Sequence, residues 1–349
     1  MDVLGLTFEE IRQALQPRTH QVKALRALYR RLLGVESSVD PAATAAAADL
    51  ARDLRADVLP IVRQVQDGEL TKFIQRTPDN LEIESVVVPM QRRGQSWKTL
   101  CVSSQIGCAR ACTFCETGQL GLLRNLTAGE IVGQFVAARR DLGAEVRNIV
   151  FMGMGEPFDN FENVAQAIRV LMDRSGISLG SERIKISTVG RVEGIRRLAE
   201  QGWKRITLAI SLNAPNDEIR SRIMPVNRLE PMSALREALL AYSLRNNQWL
   251  MMEYVLIPGV NDAPEHAREV AEFLKPLRCV VNVIPYNPRR ESPWPAPTEE
   301  SIARFLGALQ EAGQICKLRL AKGQDHMAAC GQLGNRALAR RRADPDQVR

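Results

Sequence analysis

The sequence predicts an α/β protein, a parallel sheet covered by helices and preceded by a helical N-terminal segment. From Leu81 onward, apolar β-branched runs of strand length alternate with stretches of helical apolar spacing. Six strand-plus-helix units follow one another, and their near-continuous apolar strands are of the kind buried beneath crossover helices. The 349 residues, 45% apolar and 25% charged, supply core for one large domain and a small one. A closed or partly closed barrel and an open doubly wound sheet both satisfy these patterns. In either, ligands gather at the carboxyl ends of the strands.

Residues 1–80 read as a helical accessory domain. Phe8–Leu15 has helical spacing, and Val22–Leu33 repeats it with Val22, Leu25, Leu28 and Leu32 on one side. The second helix also carries Lys23, Arg26, Arg30 and Arg31, which form either a solvated basic face or a phosphate-contacting one. Pro41–Val62 is Ala-rich and helix-prone, although Ala45–Ala48 also suits a linker. Glu82–Pro89 is an accessory strand ahead of the main series.

The strands of the 81–335 core are expected at Thr99–Ser103, Asn148–Met152, Ile184–Thr188, Ile206–Leu212, Leu250–Ile257 and Val280–Pro285, with a short one at Ile315–Leu320. Helices are expected near Ala128–Arg140, Glu162–Arg174, Arg191–Glu200, Met232–Arg245, Pro264–Leu274 and Glu299–Ala312. The first opens with a capping box, Thr127-x-x-Glu130. Residues 336–349 end in Arg340, Arg341, Arg342 and Arg349, a basic tail able to add nonspecific affinity for RNA. No repeat of solenoid period is present.

A net charge of +7 and a pI near 9.2 suit a polyanionic partner without requiring one. No apolar run is long enough to span a bilayer, and the first ten residues lack the layout of an export signal, so the expectation is cytoplasmic. The seven cysteines are an odd number in a chain of that kind. This argues against a disulfide framework and for metal or thiol chemistry.

Three of them form Cys108-Ala-Arg-Ala-Cys112-Thr-Phe-Cys115, just after the first core strand. Three thiolates so close at a strand's carboxyl end can wrap one soft metal centre. Structural zinc wants four closed ligands, usually as two short pairs, and no second pair exists, so zinc would need Cys101 or a distant His. An iron–sulfur cube on three cysteines instead leaves one iron open to a substrate or cofactor.

Cys-x3-Cys-x-Phe-Cys resembles the signature of radical S-adenosylmethionine (SAM) enzymes. The resemblance implies a [4Fe–4S] cluster on Cys108, Cys112 and Cys115, with SAM chelated to the open iron. One electron then cleaves SAM to methionine and a 5′-deoxyadenosyl radical. It also implies a partial (β/α)6 barrel.

Residues 84–335 resemble more narrowly the RNA adenosine methyltransferases of that superfamily, which modify C2 of adenine in ribosomal and transfer RNA, and their C8-methylating relatives. The likeness runs through Cys101-Val-Ser-Ser-Gln-x-Gly-Cys108, Arg124-Asn-Leu-Thr127, Phe151-Met-Gly-Met-Gly-Glu-Pro157, Ser187-Thr188, Ser211-Leu212, Ala214-Pro-Asn-Asp217, Pro258-Gly-Val-Asn-Asp262, Tyr286-Asn-Pro288 and Ala328-Ala-Cys-Gly-Gln-Leu333. It implies that Gly155, Glu156, Ser187, Ser211, Leu212, Asn213 and Asn287 line SAM. It implies that Cys330 takes a methyl group from one SAM, that a second supplies the radical, and that Cys101 helps remove the ring proton and resolves the adduct through a transient disulfide. Glu84 aligns with an acidic residue proposed as proton acceptor. An electron donor such as flavodoxin or ferredoxin and a monomeric state complete the expectation.

The chain departs from the family at Asn213, where His is usual, in Gly323–Met327, where a more acidic stretch is common, and in a longer Met90–Leu100 insert. These leave the triad and both outlying cysteines intact. Three alternatives stay open: another RNA or the C8 position, a non-RNA radical SAM enzyme in which Cys101 and Cys330 are structural, and a noncatalytic metal-binding RNA module.

Overall fold

The computed structural model describes residues 1–36, 52–92, 94–242, 244, 248–289, 291–320, 327, 329 and 331–335. In chain order its strands are β1 Ile61–Asp67, β2 Leu70–Arg76, β3 Glu82–Arg92, β4 Gln95–Cys101, β5 Gln105–Gly107, β6 Leu122–Asn125, β7 Val146–Phe151, β8 Ile184–Thr188, β9 Thr207–Ser211, β10 Leu250–Leu256, β11 Cys279–Pro285 and β12 Cys316–Leu318. Two compact units emerge. One comprises Met1–Ser104, Asn125–Val150 and Asn160–Ile184, the other Gln105–Arg124, Phe151–Asp159 and Lys185–Arg349.

In the first unit, helices Phe8–Leu15 and Val22–Leu32 form where the spacing predicts them. Thr7 and Glu10 make a capping box at the start of the first. Phe8 packs on Tyr29, ring centroids 5.8 Å apart, and the Tyr29 hydroxyl donates to Leu6 O at 2.9 Å. Much of the basic face is occupied in packing. Arg26 lies over the Phe8 ring at 5.2 Å, and Arg30 pairs with Glu36 and donates to Gly176 O. Lys23, Arg26 and Arg31 nonetheless remain exposed.

The helical expectation for residues 1–80 needs correcting. Ile61–Arg76 is an antiparallel hairpin, β1 on β2, turning at Gly68–Glu69. Local turn chemistry and pairing of β2 with β3 outweigh helix propensity there. Residues 41–51 of the Ala-rich stretch lie outside the described residues. Val62 belongs to β1, and Val58–Pro60 has no helical turn. The Met90–Leu100 insert is the distal part of the β3–β4 hairpin, with Arg92 opposite Gln95. This unit's sheet runs β1-β2-β3-β4-β7, antiparallel except that β7 lies parallel to β4.

Helix Ala128–Arg140 begins with the predicted Thr127/Glu130 box and buries Gln134 completely. Gln134 Oε1 accepts from Ser85 Oγ at 2.7 Å and from Ser103 N–H at 2.8 Å, while its Nε2 donates to Ser103 O at 2.9 Å. That amide fastens the helix to β3 and to the chain leaving β4.

In the second unit, β8 to β12 are all parallel and lie side by side in chain order. A doubly wound sheet reverses its strand order at a switch point. This run does not, which favours the barrel. Ile186, Leu208, Ile210, Met252, Tyr254, Val281 and Val283 are fully buried on one face. The alternating positions Lys185, Ser187, Thr207, Ser211 and Val255 are only half-buried. One face is therefore core, and the other supplies side chains to a cavity. β5 and β6 pair in a separate two-stranded sheet. Residues 321–326 and the basic tail, 336–349, lie outside the described residues.

Candidate active site

The site lies in the second unit. Cys108 follows β5, whose exit needs glycine. Gly107 has φ +76°, and a Cβ there would sit 1.9 Å from Gly121 O. Ala111 also adopts a left-handed conformation, φ +53°, inside the cysteine loop, which L-residues other than Asn and Asp rarely tolerate. The loop is fastened along its length. Thr113 N–H donates to Ile223 O at 3.0 Å, Arg289 Nε to Thr113 O at 2.9 Å, and Gln119 Nε2 to Cys112 O at 3.1 Å. Arg110 pairs with Asp159 at 2.6 Å, and Asp159 also receives Arg191.

Cys108 and Cys112 are buried and Cys115 is half-buried. Burial pushes the Cys108 thiol up to about 12, and it raises Cys112 and Cys115 as well. The bare site thus holds neutral thiols, and a metal centre must displace their protons. Backbone N–H groups already point at the sulfurs, from Arg110 to Cys108 and from Gly118 and Thr117 to Cys115.

All three cysteines line one cavity of about 160 Å³, together with Gly155, Glu156, Ser187, Ser211, Asn213 and Asn287. Among the described residues, no three His, Cys, Asp or Glu side chains converge as a single metal ion needs. A cube gives each thiolate its own iron, so its ligands stand further apart, and three soft donors around a shared cavity fit that demand.

Gly155 shows why the Phe151–Pro157 turn is glycine-rich. Its φ is +97°, and a Cβ would lie 2.5 Å from Gln105 Cβ. Gln105 holds the turn at both ends, accepting Glu156 N–H through Oε1 at 2.8 Å and donating its own N–H to Met154 O at 3.2 Å. Glu156 is 2% exposed and accepts from Phe158 N–H at 3.0 Å and Val189 N–H at 2.8 Å. Burial nevertheless raises its carboxyl to about 7. The Thr188 hydroxyl donates a third bond to the same carboxylate, whose roughly four lone-pair sites leave room for one further donor such as an ammonium group.

Ser187 and Ser211 face the cavity from the ends of β8 and β9. Asn213 sits at φ +57°, a conformation in which Asn and His are both enriched, so the departure from the usual His respects the backbone. Its amide is engaged, Oδ1 accepting from Val255 N–H at 2.9 Å and Nδ2 contacting Met224 Sδ at 3.4 Å. Leu212 is the exception. It is fully buried and does not line the cavity, and its carbonyl accepts from Arg220 Nε at 3.1 Å.

Glu253 and Arg319 also line the cavity, and sequence reasoning missed both. The signal for Glu253 was available, a carboxylate inside the apolar strand Leu250-Met-Met-Glu-Tyr-Val-Leu256. It accepts from Asn282 Nδ2 at 3.0 Å and pairs with Arg319 at 3.4 Å.

Cys330 lies outside the described residues, but the residues that follow it are bound to the cysteine loop. Gly331 lines the cavity, and its carbonyl accepts from Glu116 N–H at 2.7 Å. Thr117 Oγ1 donates to Leu333 O at 2.6 Å.

Cys101 and Glu84 belong to the first unit. Cys101, buried, ends β4 opposite Val86. Glu84 lies two residues from Val86 on β3 and so projects from the same face of the sheet as Cys101. Glu84 is 3% exposed and pairs with Lys72 Nζ at 2.7 Å.

A model of the Radical SAM superfamily matches residues 102–274. A probable dual-specificity RNA methyltransferase RlmN 1 of Protochlamydia amoebophila is 47% identical over 81% of this chain and 78% of its own length. The dual-specificity RNA methyltransferase RlmN of Nitratidesulfovibrio vulgaris is 40% identical over 95% of this chain and 94% of its own. The chain belongs to the radical SAM RNA methyltransferase family. The crystal structure of a radical SAM methyltransferase from Sphaerobacter thermophilus agrees at a TM-score of 0.84, with 40% identity, over 95% of this chain and 98% of that one. The radical SAM fold predicted from the sequence is therefore the observed one, and its cofactors are a [4Fe–4S] cluster and SAM. No described helix is long and apolar enough to cross a membrane.

Proposed function

We propose that this enzyme methylates C2 of an adenine in ribosomal RNA, transfer RNA or both, through an S-methylcysteine on Cys330. The carrying observation is that Gly331, the residue after Cys330, lines the same cavity as Cys108, Cys112 and Cys115 and is hydrogen-bonded to the loop that bears them. The dual-specificity RNA methyltransferases that the chain resembles support the substrate class.

When bound, the cluster supplies the single electron that cleaves SAM. Cys108, Cys112 and Cys115 hold it, and Gly155, Glu156, Ser187, Ser211, Asn213 and Asn287 bind and orient SAM. The Cys330 thiolate would take the methyl group of one SAM, the methyl–sulfonium bond breaking to release S-adenosylhomocysteine, and the thioether so formed holds a carbon that can be attached to an adenine position that is itself no nucleophile. Cys101 and Glu84 are the candidates for taking the ring proton, and Cys101 then frees the product by forming a disulfide with Cys330. We assign residues 1–80 to RNA contact, 81–335 to catalysis and 336–349 to a basic tail. The enzyme works as a cytoplasmic monomer with a low-potential donor such as flavodoxin or ferredoxin.

Mass spectrometry of ribosomal and transfer RNA from cells with and without the gene tests this reading. One methyladenosine should disappear in the deletion strain and return with the wild-type gene but not with Cys330→Ala, whose purified protein still holds iron. A deletion strain with an unchanged methyladenosine complement defeats the assignment.

A further inference from the structure

Arg220, on helix Asp217–Ile223, is 1% exposed. Its guanidinium donates to Val189 O at 2.6 Å, Ser211 O at 3.3 Å, Leu212 O at 3.1 Å and Asn227 Oδ1 at 2.8 Å. Every acceptor is neutral. Among the described residues, no carboxylate comes within ion-pair distance of it. The two nearby acids are engaged elsewhere. Asp217 Oδ1 accepts from Asn227 Nδ2 and Met232 N–H, both at 2.8 Å, and Glu230 pairs with Arg191 at 2.8 Å. A guanidinium stays charged at any physiological pH, and burying one without an anion is costly.

The surroundings show where an anion would sit. Val189 and Ser211, whose carbonyls hold the guanidinium, both line the cysteine cavity. Met224, also in its wall, donates its N–H to Arg220 O at 2.7 Å. The same helix ends at Ile223, whose carbonyl accepts from Thr113, the neighbour of Cys112. Cys112, Phe114, Ile223 and Met224 share one apolar cluster. The buried charge thus stands behind the wall of a site that gathers three thiolates.

We propose that Arg220 is the fixed counter-charge of the Cys108–Cys112–Cys115 centre, making the bound cluster easier to reduce. This rests on the cluster reading above. The net charge around an iron–sulfur cluster is one of the main determinants of its potential, and a positive charge that needs no reorganisation favours the added electron.

The test uses the full chain, reconstituted anaerobically without SAM, as wild type, Arg220→Lys and Arg220→Gln. Folding is followed by circular dichroism, iron and sulfide are counted per chain, and the reduced cluster is titrated by electron paramagnetic resonance. At the potential where half the wild-type clusters are reduced, Arg220→Gln should show a reduced-to-oxidised ratio about tenfold lower, equivalent to about 59 mV for one electron. Arg220→Lys should stay within about twofold. If Arg220→Gln folds without retaining iron while Arg220→Lys retains it, the charge is again what matters. The proposal is overturned if Arg220→Gln titrates with wild type, if both variants shift alike, if both lose iron, or if neither folds. Each of those outcomes makes Arg220 a hydrogen-bonding clamp. Wild-type protein that binds no cluster would instead sink the reading on which the proposal rests.

Discussion

The first unit and the cavity-facing strand ends of the second treat polar side chains in opposite ways. In the first unit such groups are matched to one another, Lys72 with Glu84 at 2.7 Å, and Ser85 and Ser103 with Gln134. In the second, Ser187 and Ser211, at or next to the last residues of β8 and β9, face a cavity and make no side-chain hydrogen bond to any described residue. A polar group that the chain satisfies internally contributes to the fold, and one left facing a cavity is available to a ligand. Substitutions of the matched groups should therefore cost stability, and those of the cavity-facing serines should cost cofactor binding.

Removing a thiolate gives the largest effect expected. Cys112→Ala should lower iron per chain more than tenfold and abolish SAM cleavage. The apoprotein should lose only about 1 kcal/mol, the usual scale for one small buried side chain. Iron and sulfide analysis beside urea unfolding of the apoprotein checks both halves. A variant that still assembles a full cluster would show that the triad is not the ligand set.

Lys72→Met probes the other unit. It deletes the ammonium 2.7 Å from Glu84, which is 3% exposed. Breaking a buried pair from one side costs roughly 3–5 kcal/mol. Denaturant unfolding should show that loss, while iron content below the transition stays within about twofold of wild type, since the cysteine site belongs to the other unit. Adding Glu84→Gln should recover part of the stability, because no bare carboxylate then remains. If Lys72→Met loses iron and stability in proportion, the division between the units is wrong.

Glu156 gives a pH test on the cavity side. Its carboxyl rises from 4.5 to about 7 in the folded protein. The folded chain thus binds the proton more tightly than the unfolded one. Its contribution is fully present below about pH 4.5 and is lost as pH rises through 7, about 3 kcal/mol in all. Urea unfolding of apoprotein between pH 5 and 8 should show this decline, and Glu156→Gln should flatten it. An unchanged slope in the variant would place the titration elsewhere.

The parts of the molecule legible in the sequence are those where local pattern and tertiary demand coincide. Ile184–Thr188, Ala128–Arg140 and Pro264–Leu274 have the predicted bounds because their periodicity is the burial pattern itself. The β1–β2 hairpin was not read. β1 is largely exposed, so its alternation carries little hydrophobic signal, and what makes it a strand is pairing with β2. The cysteine triad and the Gly155–Glu156 turn were legible because each depends on residue type at fixed spacing. Glu253 carried a signal that went unread, a carboxylate inside an apolar strand, whereas Arg220 and Arg319 carried none, because their role depends on which strand ends meet around one cavity, and spacing along the chain does not encode that.

Ser187→Ala is the smallest change expected and the sharpest test of the contrast. Its hydroxyl has no hydrogen-bond partner among the described residues, so the folded protein loses nothing by its removal. Stability should stay within about 0.5 kcal/mol of wild type. If the hydroxyl is reserved for SAM, its loss should weaken SAM binding to the reconstituted protein about fivefold, or about 1 kcal/mol, the net worth of one hydrogen bond. Equilibrium binding on cluster-loaded protein, set beside the same measurement on Ser85→Ala, isolates the effect. Ser85 spends its hydroxyl on Gln134 at 2.7 Å, so Ser85→Ala should lower stability by about 1–2 kcal/mol and leave SAM affinity unchanged. Should Ser187→Ala cost stability and spare SAM binding, the half-buried face of β8 is structural like the first unit, and the cavity must hold its ligand by other groups.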